Sequence, residues 1–144
     1  MPIKVLFDTN VLVSALLVLQ GPARALVELA WRNRIVMVVS QGVLTELRDV
    51  LQRPQIAKKY SVAASAGHFV DSIEKFAQVS PGEIPVEVEL DDPRDRHVLA
   101  GAVEAQCQFI VTGDQHLLRL AEYQGIRVVT PRVLLTELEA VRQD

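Results

Sequence analysis

Short apolar runs alternate along the chain with longer stretches in which apolar positions recur every three or four residues. The runs at 3–7, 35–39, 109–111 and 127–129 are rich in β-branched residues and too short for helices, so they predict strands. The longer stretches between them predict helices. This alternation predicts an α/β fold in which a parallel sheet carries helices on both faces.

The helical stretches are bounded by capping and breaking residues such as Gly21-Pro22, Ser40 and Arg53-Pro54. Apolar and polar side chains alternate over residues 84–90, as in an edge strand. Gly125 is expected to end the helix predicted at 115–123. The segment at 55–78 is expected to turn near Tyr60-Ser61. Helices are predicted over residues 10–19, 22–32, 41–53, 55–78, 93–103, 115–123 and 131–141.

Length and composition indicate one globular domain spanning residues 1–144, because 49% of the residues are hydrophobic and no linker or repeat interrupts the pattern. No apolar stretch reaches the length of a membrane span, and the first residues lack the order of a signal peptide. The single cysteine, Cys107, excludes an internal disulfide and is expected to fill the core beside Phe109. We therefore expect a cytoplasmic protein with no membrane partner.

The net charge of -3 argues mildly against nucleic-acid binding, but the basic residues are clustered. Arg48, Arg53, Lys58 and Lys59 fall within twelve positions, and these four are candidate contacts to a nucleic-acid backbone. A second group contains Arg24, Arg32 and Arg34. The alternative for either group is a solvated helix face.

Four acidic residues lie where apolar runs end or where helices run: Asp8, Glu46, Asp95 and Asp114. Each has an ordinary alternative, such as helix capping or a surface ion pair. Carboxylates at strand ends of a parallel sheet can share one crevice, where they would repel each other. A hard divalent cation such as Mg²⁺ or Mn²⁺ relieves that repulsion, so the quartet indicates metal-assisted phosphodiester chemistry.

The acids also stand in a recognisable order of motifs. These are Asp8-Thr9-Asn10, the Ser40 to Glu46-Leu47 spacing, Asp92-Pro93-Arg94-Asp95 and Val111-Thr112-Gly113-Asp114. In this order and spacing the chain resembles PIN-domain proteins over nearly its whole length. Leu51-Gln52-Arg53-Pro54, followed by Lys58-Lys59-Tyr60, is similar to the VapC-type toxin ribonucleases of toxin–antitoxin pairs.

The resemblance implies a PIN-like (Rossmann-like) fold and a Mg²⁺- or Mn²⁺-dependent endoribonuclease acting on single-stranded RNA. Asp8, Glu46, Asp95 and Asp114 would be its catalytic, metal-binding acids. It also implies a homodimer with a small antitoxin protein as partner. Thr9, Asn10 and Thr112 would hold the carboxylates in place.

Two residues depart from the family pattern. Arg96 follows Asp95 where many relatives have an acid or Asn, and His116 replaces an acid common two residues after Gly-Asp. Arg96 would either weaken a second metal site or contact a phosphate. The sequence leaves both open.

Other chemistries fit the sequence less well. His68, His97 and His116 lack zinc-ligand spacing and are expected to be surface or capping residues. Glycine-rich phosphate-binding motifs are absent, which argues against a nucleotide cofactor. An aspartyl phosphatase would want a second Asp where Asn10 stands. The main alternative is a non-catalytic PIN-like module that binds RNA or protein, although all four acids are present.

Overall fold

The computed structural model describes residues 2–56, 63–88 and 95–143. Three features of the sequence lie outside these ranges: Lys58 and Lys59, the turn expected near Tyr60-Ser61, and the Asp92-Pro93-Arg94 part of the third motif.

The described elements follow the predicted alternation of strands and helices. The strands are β1 (Lys4–Phe7), β2 (Val36–Ser40), β3 (Gln78–Ser80), β4 (Phe109–Val111), β5 (Glu122–Tyr123) and β6 (Ile126–Val129). The helices are α1 (Thr9–Leu17), α2 (Pro22–Trp31), α3 (Gln41–Leu51), α4 (Ala63–Phe76), α5 (Arg96–Glu104), α6 (Gln115–Leu118) and α7 (Pro131–Gln143).

The strands form one six-stranded sheet in the order β3-β2-β1-β4-β6-β5. All neighbouring pairs are parallel except β5 with β6, so the predicted α/β fold with a parallel sheet is confirmed. The chain moves outward from β1 to β3 and then returns to place β4 on the other side of β1. The order therefore reverses between β1 and β4, and this is where open α/β sheets form a crevice beyond their carboxyl ends.

The central strands are buried on both faces, which explains their continuous apolar sequences. Leu6, Val38 and Ile110 are fully buried, and so are Leu26 of α2 and Leu99 of α5. Cys107 belongs to the same core, as predicted, and its burial raises the pKa of the thiol to about 12. The thiol is therefore neutral and unreactive at neutral pH.

Among the described residues, no single helix is long and apolar enough to cross a membrane, and the paired α1 and α2 are bent by 96°.

The prediction of an edge strand at 84–90 is wrong for residues 84–88, the part of this range that the structure describes. Residues 84–88 form no strand, and the strand at the edge of the sheet beside β2 is β3, at Gln78–Ser80. The amides of Gly82, Glu83 and Ile84 donate instead to the carboxylate of Glu104, at 2.6, 2.8 and 3.1 Å. These amides are thus held by a side chain from α5 rather than by a neighbouring strand, and the alternating pattern gives no sign of it.

The helix predicted at 115–123 is also too long. It ends at Leu118, and the chain then forms the short hairpin of β5 and β6. Gln124 and Gly125 make its two-residue turn, with φ of 50° and 83°. Positive φ at both positions is the geometry of a type I′ turn, in which glycine is favoured. Gly125 therefore closes a hairpin rather than a helix.

Glu104 holds the segment after β3 because its carboxylate accepts hydrogen bonds from that segment. Besides the three amides, it accepts a hydrogen bond from the Ser80 hydroxyl at 2.5 Å. Burial raises the pKa of this carboxyl, but the hydrogen bonds from Ser80 and the amides outweigh it and lower the pKa to about 2. Since Glu104 is the last residue of α5, the contact fixes this end of the helix to the carboxyl end of β3.

Replacing Glu104 with Gln should destabilise the protein by about 1–2 kcal/mol at pH 6, because the amides lose a charged acceptor. The folded-state pKa is lowered, so the stabilisation is complete above the ordinary pKa of 4.5 and is lost as pH falls toward 2. The stability difference between variant and wild type should therefore narrow below pH 4.5 in urea unfolding experiments. Glu139→Gln, at an exposed position of α7, is the control, and a pH-independent difference would contradict the assignment.

Candidate active site

The four acidic residues singled out in the sequence border one crevice at the carboxyl ends of the strands. The cavity has a volume of about 320 Å³ and lies at the reversal point between β1 and β4. Its lining consists of Asp8, Thr9, Asn10, Val13, Glu46, Val50, Asp95, His97, Val98 and Asp114. The expectation that the acids share one crevice therefore agrees with the structure.

Asp8 forms the floor of the crevice, since it directly follows β1 and is only 7% exposed. Burial raises the pKa of its carboxyl, and the charge of Glu46 raises it further. Hydrogen bonds from the Thr112 hydroxyl and the Thr9 amide act in the opposite direction without cancelling the shift. The charge of Asp8 is therefore costly to keep without a compensating cation.

The Thr112 hydroxyl links Asp8 to the loop that carries Asp114. It donates to Asp8 Oδ2 at 2.8 Å and accepts from the Asp114 amide at 3.0 Å. Asn10 makes a parallel link, because its side-chain amide donates to Asp8 Oδ2 at 3.2 Å and its carbonyl accepts from the Gly113 amide at 2.8 Å. Thr112 and Asn10 thus have the supporting geometry that the resemblance implied for them.

Thr9 contributes differently from the expectation. Its backbone amide donates to Asp8 Oδ1 at 2.8 Å. Its hydroxyl is buried and has no hydrogen-bond partner among the described residues. The side chain therefore holds no carboxylate here, because α1 begins at Thr9 and turns the backbone amide toward Asp8.

Helix capping and a place in the crevice are not exclusive alternatives for Asp8 and Asp114. Asp8 is the N-cap of α1, and Asp114 caps α6 by accepting from the His116 amide at 2.8 Å. The cap of α1 is therefore Asp8 itself and not one of the polar residues that follow it, Thr9 and Asn10. Asp95 precedes α5 but makes no capping hydrogen bond to it, and Glu46 projects from the second turn of α3 with an exposed side chain.

His97 is a site residue that the sequence reasoning missed. It was expected to be a surface or capping residue, but it lines the crevice, half-buried, and its Nδ1 lies 2.7 Å from the Ser40 hydroxyl. Burial lowers the pKa of the ring, although the nearby charges of Asp8 and Glu46 raise it. His97 is therefore neutral at neutral pH. Its position two residues after Asp95 was the only available signal. By contrast, His68 and His116 are exposed as expected.

Arg48 and Arg53, the two members of the first basic group that the structure describes, have different surroundings. Arg48 projects from α3 toward α4, where it forms ion pairs with Glu74 and, at 3.7 Å, with Asp71. Arg53 lies just beyond the end of α3 and pairs with Asp49 at 3.3 Å through exposed side chains. Surface pairs of this kind are weak, so they leave Arg53 available to other anions.

The second basic group lies away from the crevice. Arg24 packs over the ring of Trp31 at 4.9 Å and donates to the carbonyl of Ala15. Arg32 and Arg34 are exposed just before β2, which places them at the amino ends of the strands. The solvated-face alternative therefore fits Arg32 and Arg34, whereas Arg24 is partly buried.

The donor chemistry of the crevice suits a hard divalent cation, because its charged donors are carboxylate oxygens. Among the described residues, however, no three acidic, histidine or cysteine side chains come close enough together to bind one ion. The acids border one crevice without forming a direct three-ligand cluster. Mg²⁺ commonly binds through one or two carboxylates and keeps several waters, and this donor set fits that mode.

The family assignment agrees with this geometry. The family profile of the PIN domain matches residues 4–116, which include all four acids and the Thr112 motif. The chain belongs to the PIN-domain family. A search of curated proteins found no significant match.

The fold is also found in a solved structure. The chain is similar to VapBC2 from Rickettsia felis, a structure solved bound to a DNA fragment from its promoter, with a TM-score of 0.58 and 13% identity. The alignment covers 87% of this chain and 96% of the other chain. At this identity the likeness establishes the fold alone.

Replacing Thr112 with Val should destabilise the protein by about 1–3 kcal/mol, because it keeps the shape but leaves the Asp8 carboxylate and the Asp114 amide short of a partner. Thr112→Ser keeps the hydroxyl and should recover much of that loss. Urea unfolding at neutral pH measures both, with Thr136→Val at an exposed position of α7 as control. Equal stability of Thr112→Val and wild type would show that the bridge contributes nothing.

Proposed function

We propose that this protein is a metal-dependent endoribonuclease that hydrolyses phosphodiester bonds of single-stranded RNA. The observation that carries the proposal is the single crevice bordered by Asp8, Glu46, Asp95 and Asp114. Membership of the PIN-domain family supports nuclease activity.

The cation is proposed to be Mg²⁺ or Mn²⁺, and carboxylates of the four acids would hold it together with water. When bound, it would lower the pKa of an attacking water and offset the charge of the phosphate. Thr112 and Asn10 keep Asp8 in place during this chemistry through the hydrogen bonds described above. The reaction needs no side-chain nucleophile, and among the described residues the only cysteine is buried and neutral.

The RNA backbone is proposed to approach over the end of α3 and to bind Arg53, with Lys58 and Lys59, which follow it in the sequence, as further contacts. Arg53 lies two residues beyond Leu51, where α3 ends, and Val50 in the last turn of α3 lines the crevice. Arg48 was assigned to the same role, but its two ion pairs with α4 make it the weaker candidate. Val13 and Val50 add an apolar part to the crevice wall.

We also propose that the protein is the toxin of a toxin–antitoxin pair, a cytoplasmic homodimer inhibited by a small antitoxin protein. Two observations support this proposal. The fold is shared with a chain of the VapBC2 structure. The Leu51-Gln52-Arg53-Pro54 motif resembles that of VapC-type toxin ribonucleases. Exposed apolar side chains at the α1–α2 turn and on α7 offer surfaces for such contacts: Val18, Leu19, Val133 and Val141.

Purified protein should cleave single-stranded RNA in Mn²⁺ or Mg²⁺ and lose this activity in EDTA, because the cation supplies the activated water. Asp114→Asn keeps an oxygen that can cap α6, so the variant should fold like wild type. It removes a charge from the crevice, so it should cleave RNA poorly. Gel analysis of a labelled RNA, with double-stranded RNA and DNA of the same sequence as controls, measures the activity.

Cleavage that persists in EDTA would overturn the proposed cation dependence. A protein that binds the RNA but does not cleave it in the presence of either metal would instead be the non-catalytic binding module.

Replacing Asp95 with Asn should leave the metal-free protein at least as stable as wild type, because it removes one of several like charges while preserving volume. Wild type should gain about 2.7 kcal/mol in Mn²⁺ at a hundredfold excess over the dissociation constant. The variant should lose most of this gain. Thermal melts in EDTA and in Mn²⁺ measure the two effects independently of activity.

Asp49→Asn is the matched control, since Asp49 lies on α3 three residues after Glu46 but does not line the crevice. It should keep the full Mn²⁺ shift. If Asp95 acts only on the dipole of α5, its replacement costs roughly 0.3–1 kcal/mol and changes no metal response. Equal Mn²⁺ shifts in wild type and Asp95→Asn would remove Asp95 from the site.

A further inference from the structure

His97 lies between the two helices that bring Glu46 and Asp95 to the crevice. It belongs to the first turn of α5, two residues after Asp95, and its ring reaches the first turn of α3. There it contacts two residues, Ser40 and Gly42, and each contact constrains the start of the helix that carries Glu46.

The contact with Ser40 is polar. The Ser40 hydroxyl is fully buried, caps α3 by accepting from the Val43 amide at 3.1 Å, and lies 2.7 Å from His97 Nδ1. The residue that starts α3 is therefore hydrogen-bonded to the first turn of α5. This link passes through one buried hydroxyl, so a displacement of the ring also disturbs the cap.

The contact with Gly42 is steric. A Cβ at Gly42 would lie 2.7 Å from both Cγ and Nδ1 of the His97 ring, a distance that real Cβ atoms do not reach. Glycine thus allows the imidazole to lie directly against the backbone of α3. Glu46 follows Gly42 by four residues, on the same side of the helix, so the ring fixes the turn that precedes Glu46.

The opposite end of α5 is fixed as well. Glu104 binds the Ser80 hydroxyl and the amides of the segment after β3, as described above. Because these contacts hold the last residue of α5 in place, α5 cannot easily shift away from the contact that His97 makes at its first turn. The imidazole therefore lies between the first turn of α3 and a helix that is held at its far end.

We propose that His97 is a positioning residue that spaces Glu46 from Asp95 across the crevice. The inference rests on the proposed nuclease function for its catalytic consequence, while its structural basis is independent of that function. It predicts that removing the ring and crowding the ring both disturb the same spacing, and that the two changes compensate when combined.

The experiment compares His97→Ala, Gly42→Ala and the double variant in RNA cleavage with Mn²⁺. Each single change should lower kcat about 10- to 100-fold with little effect on KM. The reason is that misplacing a catalytic group slows the chemical step more than it weakens binding of the RNA. The double variant should be more active than the product of the single effects predicts, because the methyl group that Gly42→Ala introduces fills part of the space left by the ring. His97→Asn keeps a group that can bond Ser40 and should recover part of the activity.

His68→Ala, at an exposed position of α4, is the control and should behave as wild type. A large loss in His97→Ala, with Gly42→Ala fully active and multiplicative effects in the double variant, would overturn the spacing role in favour of direct participation of the imidazole. A loss confined to KM would overturn it as well.

A readout without activity separates this inference from the proposed function. The unfolding free energies of wild type, the two single variants and the double variant should be non-additive, and Val43 amide exchange should accelerate in His97→Ala. If wild type cleaves no RNA but this coupling is present, the proposed function fails and the contact between the helices stands. Additive stabilities with unchanged Val43 exchange would overturn the inference whether or not the protein is a nuclease.

Discussion

The buried carboxylate at the end of β1 is the constraint on which the rest of the site depends. Asp8 follows the buried apolar residues Val5, Leu6 and Phe7 of β1 and is almost removed from solvent, so its charge must be met by hydrogen bonds from the protein. Those bonds come from α1 through Thr9 and Asn10, and from the loop after β4 through Thr112. Satisfying Asp8 therefore fixes the loop that carries Asp114, and it does so at the position where the strand order reverses.

The same carboxylates serve folding and function. Asp8 and Asp114 cap their helices with one oxygen each, and both also border the crevice. Capping orients a carboxylate rigidly at a helix start, and positioning a cation or a phosphate requires the same rigidity. The cost of this arrangement is visible in the raised pKa of Asp8, which is caused first by burial and then by the charge of Glu46.

The opposite wall of the crevice depends on α5. Its first turn carries His97 against α3, and its last residue, Glu104, holds the segment after β3. The two contacts lie at opposite ends of one helix and both reach the carboxyl ends of strands, Ser40 of β2 and Ser80 of β3. The crevice thus lies between two groups of polar contacts, one centred on Asp8 and one on α5.

The sequence by itself determined the α/β class, most of the strands and helices, and the four acids, because these depend on local periodicity and on residue type at strand ends. It did not determine the edges of the sheet. The amides after β3 bind Glu104, which is distant in sequence, and Gly125 closes a hairpin whose second strand pairs with β4. Such pairings are choices between distant partners, and a local pattern contains no information about them. The role of His97 was hidden for the same reason, since only the packing of α5 against α3 brings its ring to Ser40 and Gly42.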